Sequence, residues 1–165
     1  MRILGVDPGL NITGYAVLER GKDGPAIIEA GVIRGAEQRA RPNLPERLCT
    51  LFGGLVEVID QFQPKALCVE QLYAHYAHPR TAILMGHARG VLLLAGAQRS
   101  LEVHSYSATT IKKTITGNGR APKDQVQRAV QQELRLPKLP EPSDVADALA
   151  VALCHYYRQS RPGDD

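Results

Sequence analysis

The plan of the fold is set by the stretch Arg2-Ile-Leu-Gly-Val-Asp-Pro-Gly9. Its aliphatic run ends at Asp7 and is followed at once by two turn formers, which is typical of a buried strand. In α/β sheets, the carboxyl end of a central strand opens into the crevice where ligands bind. Asp7 is therefore a candidate functional carboxylate. The alternative is that Asp7 only caps the turn through its own backbone.

Hydrophobic patterns extend this strand into an α/β sheet. Short glycine-rich connections predict that the first three strands form an antiparallel meander. Helices and strands then alternate, so the later strands are predicted to run parallel to the first. The further predicted elements are strands at about 13–19, 27–34, 65–70 and 101–106, and helices at about 43–63, 78–98, 107–115, 122–134 and 143–157.

Three further carboxylates fall where they can meet Asp7. Glu70 ends a buried strand and is expected at the neighbouring strand end. Asp144 and Asp147 are three residues apart and project from one face of the last helix. The helix dipole explains Asp144 in the first turn, whereas Asp147 lies in an apolar run where an unpaired carboxylate is costly. Packing of this helix across the sheet edge is expected to bring the four acids together.

A cluster of four carboxylates predicts bound cations. Crowded carboxylates repel one another and take up protons unless a cation neutralises them. Oxygen ligands favour Mg²⁺ and Mn²⁺ over Zn²⁺. Two such ions, about 3.5–4 Å apart, activate a water and stabilise the leaving oxygen in phosphodiester hydrolysis. We therefore predict a Mg²⁺ site, with two ions per site and Mn²⁺ also supporting activity.

The charge of the chain is modest but uneven. The formal net charge is +3, yet the segment from Arg99 to Lys138 holds eight basic and three acidic residues, a net +5 that leaves −2 elsewhere. This asymmetry indicates a polyanionic partner such as nucleic acid, although a solvated basic surface has the same composition. Within the segment, the side chains expected to contact DNA are Lys112, Lys113, Arg120 and Lys123.

Length and composition predict one domain. The chain has 165 residues, of which 44% are hydrophobic, enough for a substantial core. We expect the domain to cover residues 1–158 and a flexible C-terminal tail to cover 159–165. The three cysteines are odd in number and far apart, which favours a reducing, cytoplasmic location. Neither a signal peptide nor a membrane-spanning segment is predicted.

Four motifs follow one another in a specific order. They are Ile-Leu-Gly-Val-Asp-Pro-Gly at 3–9, Val-Glu-Gln at 69–71, Gly-His-Ala-Arg-Gly at 86–90 and Asp-Val-Ala-Asp-Ala-Leu-Ala at 144–150. With them, the chain resembles the RuvC-type Holliday junction resolvases of the ribonuclease H-like superfamily, from Met1 to about Tyr157. The resemblance implies an α/β, ribonuclease H-like fold with a five-stranded mixed sheet that is flanked by helices. The first three strands are antiparallel and the later ones parallel.

The resemblance also implies an activity and its residues. Family members are homodimers that resolve four-way DNA junctions by metal-dependent, symmetric nicking of two opposing strands in homologous recombination and repair. A branch-migration helicase complex of the RuvA–RuvB type is an implied partner, and a membrane is not. The acidic tetrad of the family matches Asp7, Glu70, Asp144 and Asp147, and its two important lysines match Lys112 and Lys123.

The loop after Glu70 departs from the family pattern. The aromatic residue with which the family probes the junction is usually Phe and matches Tyr73, but Tyr76 competes for that role. His75 and His78 in this loop would suggest a metal pair, although loop histidines are more often solvated. His87 stands where Gln is common, which fits either local packing or a polar role.

The predicted helix 78–98 is apolar almost all round, although a helix that covers a sheet needs only one apolar stripe. Ala82, Gly86 and Gly90 lie at steps of four and form a smooth ridge. This ridge suits either a helix of a second subunit or close packing within the chain.

Other protein classes account for less of the sequence. Sugar-kinase or actin-like ATPases have a similar Asp-Pro-Gly strand end, but they need a duplicated domain and lack the closing Asp-x-x-Asp helix. A non-catalytic nucleic-acid-binding domain on the same fold would be expected to have lost some of the four acids. A ribonuclease H or transposase-like enzyme is the nearest alternative.

Overall fold

The predicted alternation of strands and helices is present in the computed structural model, which describes residues 1–36, 42–72 and 78–159. The strands are β1 (Arg2–Asp7), β2 (Ile12–Gly21), β3 (Gly24–Arg34), β4 (Ala66–Glu70) and β5 (Glu102–Tyr106), and the helices are α1 (Leu44–Phe62), α2 (Pro79–Gln98), α3 (Ala108–Thr116), α4 (Lys123–Glu133) and α5 (Ser143–Gln159). Every predicted element is found, with ends shifted by at most three residues. Helix α5 includes Gln159, the first residue of the predicted tail.

The five strands form one mixed sheet in the order β3-β2-β1-β4-β5. Strand β1 is antiparallel to β2 and parallel to β4, β3 is antiparallel to β2, and β5 is parallel to β4. This arrangement confirms the predicted fold class. The pairing of β1 with β4 ends at Val6 and Val69, so Asp7 and Glu70 each stand one residue beyond the last pair, at the same edge of the sheet.

Local sequence signals fix the ends of the helices. Asn43 and Glu46 form a capping box at the start of α1. The Ser107 side chain accepts a hydrogen bond from the Thr110 amide and so caps α3. Gly117 ends α3 with a φ of 78°, a left-handed conformation that glycine adopts without strain. The chain is thereby turned back from α3 into α4.

Side chains alternate across the strands, so the sheet has two faces of different composition. One face includes Ile3 and Cys68 and packs on α3, α4 and α5. The other includes Leu4 and Val69 and packs on α1 and α2. Asp7 is four residues after Ile3, and Glu70 is two residues after Cys68. Both carboxylates are therefore on the face that α5 covers.

Two glycines allow α5 to lie unusually close to this face. A Cβ added to Gly5 would lie 2.4 Å from the backbone oxygen of Ala148 and 2.6 Å from the backbone nitrogen of Ala152. A Cβ added to Gly14, which pairs with Asp7, would lie 2.1 Å from the backbone oxygen of Asp144. A larger residue cannot occupy either position without moving the helix. The contact sets the first turn of α5 beside the end of β1.

Helix α2 packs on the sheet with one side and exposes apolar residues on the other. Ile83 is 62% exposed and Leu94 is 50% exposed. A Cβ added to Gly90 would meet nothing within 4 Å, and one added to Gly86 would meet only Leu72 Cδ1, at 3.8 Å. Within the described part of the chain, these two ridge glycines are therefore not used for close helix packing. None of the described helices is long and apolar enough to cross a membrane.

Candidate active site

The four predicted carboxylates come from three elements at one edge of the sheet. Asp7 ends β1, Glu70 ends β4, and Asp144 and Asp147 stand in the first two turns of α5. All four are partly buried. The strand alternation and the two glycine contacts described above explain why residues so distant in sequence share one side of the sheet.

The pKa values of Asp7 and Glu70 are shifted by the neighbouring acids. The pKa of Asp7 is raised to about 7, first by burial and then by the negative charges of Asp147, Glu70 and Asp144. Burial and the charge of Asp147 also raise the pKa of Glu70. Asp7 is therefore partly protonated near neutral pH unless a cation neutralises the cluster.

Two lysines oppose the acids. Lys123 begins α4, and its Nζ donates a hydrogen bond of 2.8 Å to Oδ2 of Asp147. This bond raises the pKa of Lys123, so the ammonium is charged at neutral pH. The positive charges of Lys112 and Lys123 both lower the pKa of Glu70, against the effect of burial. The sequence predicted both lysines, and the structure places both beside the acids.

Two of the acids, Glu70 and Asp147, share a cleft of about 230 Å³ with both lysines. Its charged lining consists of Glu70, Asp147, Lys112 and Lys123, and its apolar wall consists of Ala108, Ile111, Val126 and Ala150. The cleft therefore presents negative groups on strand β4 and helix α5 and positive groups on α3 and α4. An anionic substrate that also binds cations finds complementary charges on both sides.

The donor chemistry fits hard divalent cations. The four acids offer oxygen atoms alone, as Mg²⁺ and Mn²⁺ prefer, and burial together with the three neighbouring acids raises the pKa of Asp7. Among the residues that the structure describes, however, no group of three or more His, Cys, Asp or Glu side chains is arranged to hold a metal ion as it stands. Asp147 is instead paired with Lys123, at 2.8 Å.

The remaining predicted side chains, Asp7 and Asp144 among them, are not residues that line the cleft. Lys113 and Arg120 are exposed and are not among the residues that line it. His78 and His87 are exposed as well. Tyr73, Tyr76 and His75 lie outside the described residues.

Arg89 is a neighbour of the site that sequence reasoning missed. Its Nε donates to the backbone oxygen of Glu70 at 3.0 Å, and its Nη2 donates to Oγ of Ser105 at 2.7 Å. Two signals were available: Arg89 interrupts the apolar pattern of α2, and it lies within the motif at 86–90. Gly14 was missed too, although a glycine inside a strand often marks the close approach of another backbone.

Comparisons with known proteins agree with this geometry. The family model for the crossover junction endodeoxyribonuclease RuvC matches residues 3–155. The crossover junction endodeoxyribonuclease RuvC of Rhodopirellula baltica is 52% identical over 164 residues, which cover 98% of this chain and 89% of that protein. Thermus thermophilus RuvC in complex with a Holliday junction substrate superposes with a TM-score of 0.87 at 30% identity, over 97% of this chain and 96% of that one.

A more distant structure shares the fold alone. The yeast mitochondrial Holliday junction resolvase Ydc2 is 14% identical, with a TM-score of 0.70 over 96% of this chain and 78% of that one. Membership follows from the family match and from the high identity over nearly the whole length. The chain therefore belongs to the RuvC family of crossover junction endodeoxyribonucleases.

Proposed function

We propose that Asp7, Glu70, Asp144 and Asp147, with Lys112 and Lys123, form the catalytic centre of this crossover junction endodeoxyribonuclease. The observation that carries the proposal is geometric: β1, β4 and α5 bring the four acids to one edge of the sheet, where Lys112 and Lys123 line a cleft with Glu70 and Asp147. Burial and the three other acids raise the pKa of Asp7 to about 7. Such a cluster costs folding free energy, because partly buried carboxylates lose hydration and repel one another. Strongly perturbed acids in a cleft are typical of functional sites.

The four acids are the groups that would hold the cations, with Mg²⁺ as the natural ion, Mn²⁺ as a substitute and two ions per site. When bound, the cations supply an activated water and stabilise the leaving oxygen during phosphodiester hydrolysis. The protein contributes the fixed placement of its oxygen ligands by β1, β4 and α5. The closely packed backbone of α5 keeps Asp144 and Asp147 from drifting away under mutual repulsion.

The two lysines act on the phosphate rather than on the cations. Lys112 and Lys123 line the cleft opposite Glu70, where a bound phosphate group can lie between positive and negative walls. A preorganised ammonium stabilises the negative charge that develops on the phosphate oxygens. Lys113 and Arg120, exposed outside the cleft, contact flanking phosphates and position the DNA without reading its sequence.

The exposed face of α2 is the proposed contact between two subunits. The open ridge at Gly86 and Gly90 and the exposed Ile83 and Leu94 support this assignment, since a second helix can cover them at close range. A two-fold symmetric pair of sites then nicks opposing strands of one junction.

The remaining assignments rest on the family. Tyr73, or in its place Tyr76, stacks on a base at the opened branch point, which ties cleavage to junctions. A branch-migration helicase complex of the RuvA–RuvB type delivers the junction. The protein acts in the cytoplasm, where its thiols at Cys49, Cys68 and Cys154 stay free.

Replacement of a carboxylate tests the centre. Asp7→Asn and Asp147→Asn should each lower the single-turnover cleavage rate of a synthetic four-way junction in Mg²⁺ by about 100-fold or more. Mutation of a residue that only hydrogen-bonds to a metal ligand already lowers metal affinity or activity by about 10- to 100-fold. Junction binding in EDTA should persist, because the DNA-contacting surface is unchanged.

The matched control is Asp60→Asn, which removes a carboxylate that is paired with Arg99 at the surface. This variant should cleave like the wild type. A near wild-type rate for Asp7→Asn or Asp147→Asn would remove that residue from the centre. Plain duplex and an RNA–DNA hybrid complete the substrate set, and preferential cleavage of the hybrid would contradict the junction specificity.

A further inference from the structure

The end of strand β4 has neighbours on both faces of the sheet. The Glu70 side chain lies on the face that α5 covers, in the cleft with Asp147. From the other face, Arg89 of α2 reaches the backbone oxygen of Glu70 with its Nε, at 3.0 Å. The same guanidinium donates from Nη2 to the Ser105 hydroxyl on the neighbouring strand β5, at 2.7 Å.

The strand ladder supports this position in the sheet on one side only. On the β1 side, pairing stops at Val69, one residue before Glu70. On the β5 side, Glu70 is the last residue in register, opposite Tyr106, and the next amide, that of Gln71, donates to the Tyr106 backbone oxygen at 2.8 Å. The end of a strand whose ladder has stopped on one side moves more easily than its middle. Arg89 supplies a charged hydrogen-bond donor to the Glu70 carbonyl, beyond the last pair of β1 with β4.

The carboxylate of Glu70 also experiences a force that would displace it. Glu70 and Asp147 line the same cleft, and two negatively charged carboxylates in one cleft repel each other. A backbone that could shift would let the side chain move away from Asp147. A clamp on the carbonyl of the same residue opposes that movement without placing a positive side chain in the cleft itself.

We infer that Arg89 is a positioning residue for cleavage: by bridging the Glu70 carbonyl and Ser105, it holds the Glu70 carboxylate at the place where it acts. The inference rests on the proposed role of Glu70. Arginine suits the task because its planar guanidinium donates in two fixed directions, whereas a lysine ammonium is a point charge on a flexible stem. Ser105 acts only through Arg89, as the second anchor of the guanidinium.

The test uses the full chain with Arg89→Met, Arg89→Lys, Ser105→Ala and the double variant Arg89→Met/Ser105→Ala. Arg89→Met should lower single-turnover cleavage of a four-way junction by roughly 10- to 100-fold, the penalty expected for a displaced reactive group. Arg89→Lys and Ser105→Ala should show smaller losses. The double variant should match Arg89→Met, since Ser105 has no anchor to offer once the guanidinium is gone.

Two readouts separate positioning from general damage. Calorimetric titration of Mg²⁺ into the DNA-free protein should show weaker binding in Arg89→Met, by about the 10-fold typical of lost supporting groups. Junction binding in EDTA should be unchanged. The control is Arg99→Met, which removes the C-cap arginine of α2, paired with Asp60, and should leave cleavage, Mg²⁺ affinity and junction binding as they are.

Glu70→Gln distinguishes a failure of the role proposed for Glu70 from a failure of the role of Arg89. If Glu70→Gln cleaves near the wild-type rate, the proposed role of Glu70 is wrong and the role of Arg89 falls with it. If Glu70→Gln is inactive while Arg89→Met or Arg89→Lys keeps wild-type cleavage and Mg²⁺ affinity, the role of Arg89 alone is overturned. Additive losses in the double variant would also overturn it, because they would show that Ser105 acts independently.

Discussion

The two faces of the sheet are packed by different means. On the α5 face, backbone meets backbone: Gly5 and Gly14 leave no room between β1, β2 and the helix. On the α1 and α2 face, large side chains such as Leu55 and Leu92 fill the space. Packed side chains adjust to small changes, whereas contacting backbones do not. The active-site geometry therefore depends on the first face, while stability depends on both.

The largest effect is expected at the backbone contact itself. Gly5→Ala would place a Cβ 2.4 Å from the backbone oxygen of Ala148, so α5 must move. We expect the free energy of unfolding to fall by about 3 kcal/mol or more, which is the upper end of the range for overpacked cores. Cleavage per folded molecule should fall by roughly 100-fold, because an ångström-scale shift separates α5 from Asp7. Urea denaturation and single-turnover cleavage measure the two effects.

Gly53→Ala is the matched control for this substitution. An added Cβ at Gly53 in α1 would meet nothing within 4 Å. The variant should be more stable by about 0.5–1 kcal/mol, since alanine favours the helix over glycine. Its cleavage rate should not change. Equal losses in the two variants would contradict the role assigned to the close approach of α5.

A core truncation on the opposite face should reduce stability alone. Leu55 of α1 is completely buried. Leu55→Ala should lower the free energy of unfolding by about 3 kcal/mol through lost burial and the cavity left behind. Cleavage per folded molecule should stay at the wild-type level, measured at a temperature well below the melting transition. A loss of cleavage comparable to that of Gly5→Ala would show that both faces position the acids.

The α5 face also buries a histidine, which makes its stability sensitive to pH. His155 is completely buried, and its Nδ1 lies 2.6 Å from the Tyr106 hydroxyl. Burial and the nearby His104 lower the pKa of His155 from 6.5 to about 4. Between these values the unfolded chain binds more protons than the folded one, so the free energy of unfolding falls as the pH falls.

We expect His155 to contribute a loss of about 2 kcal/mol between about pH 7.5 and pH 5. His155→Asn retains an acceptor for the Tyr106 hydroxyl but does not titrate, so its stability should fall less over the same range. Urea denaturation at the two pH values measures the difference, and His78→Asn, at an exposed position, is the control. Identical pH dependence in His155→Asn and the wild type would rule out this contribution.

Two of the acids, Glu70 and Asp147, could be predicted from the sequence because each breaks a local rule. Asp147 interrupts an apolar helix, and Glu70 ends a buried strand. Such conflicts between local pattern and residue type mark functional sites, and they are visible without any coordinates. The antiparallel meander and the parallel pairing of β4 beside β1 were predicted as well, since helical crossovers leave few topologies for a sheet of this size.

The sequence did not predict the contacts that depend on backbone atoms far apart along the chain. Arg89 binds a carbonyl, which every residue carries, so no partner is visible in the sequence. The distance between Gly14 and α5 depends on how two elements dock. Likewise, the basic pattern included Lys112 and Lys113 equally, but only Lys112 lines the cleft, because successive residues of a helix point in different directions.

The packing of the last helix on the first strand has a consequence for protein synthesis. Asp7 and Glu70 leave the ribosome early, but Asp144 and Asp147 come with α5, the final element in chain order. A chain shorter than about 143 residues has neither the second pair of acids nor the helix that covers the β1 face. The proposed nuclease centre is therefore completed by the same helix that covers the core. We expect an incomplete chain to carry no cutting activity that could damage DNA.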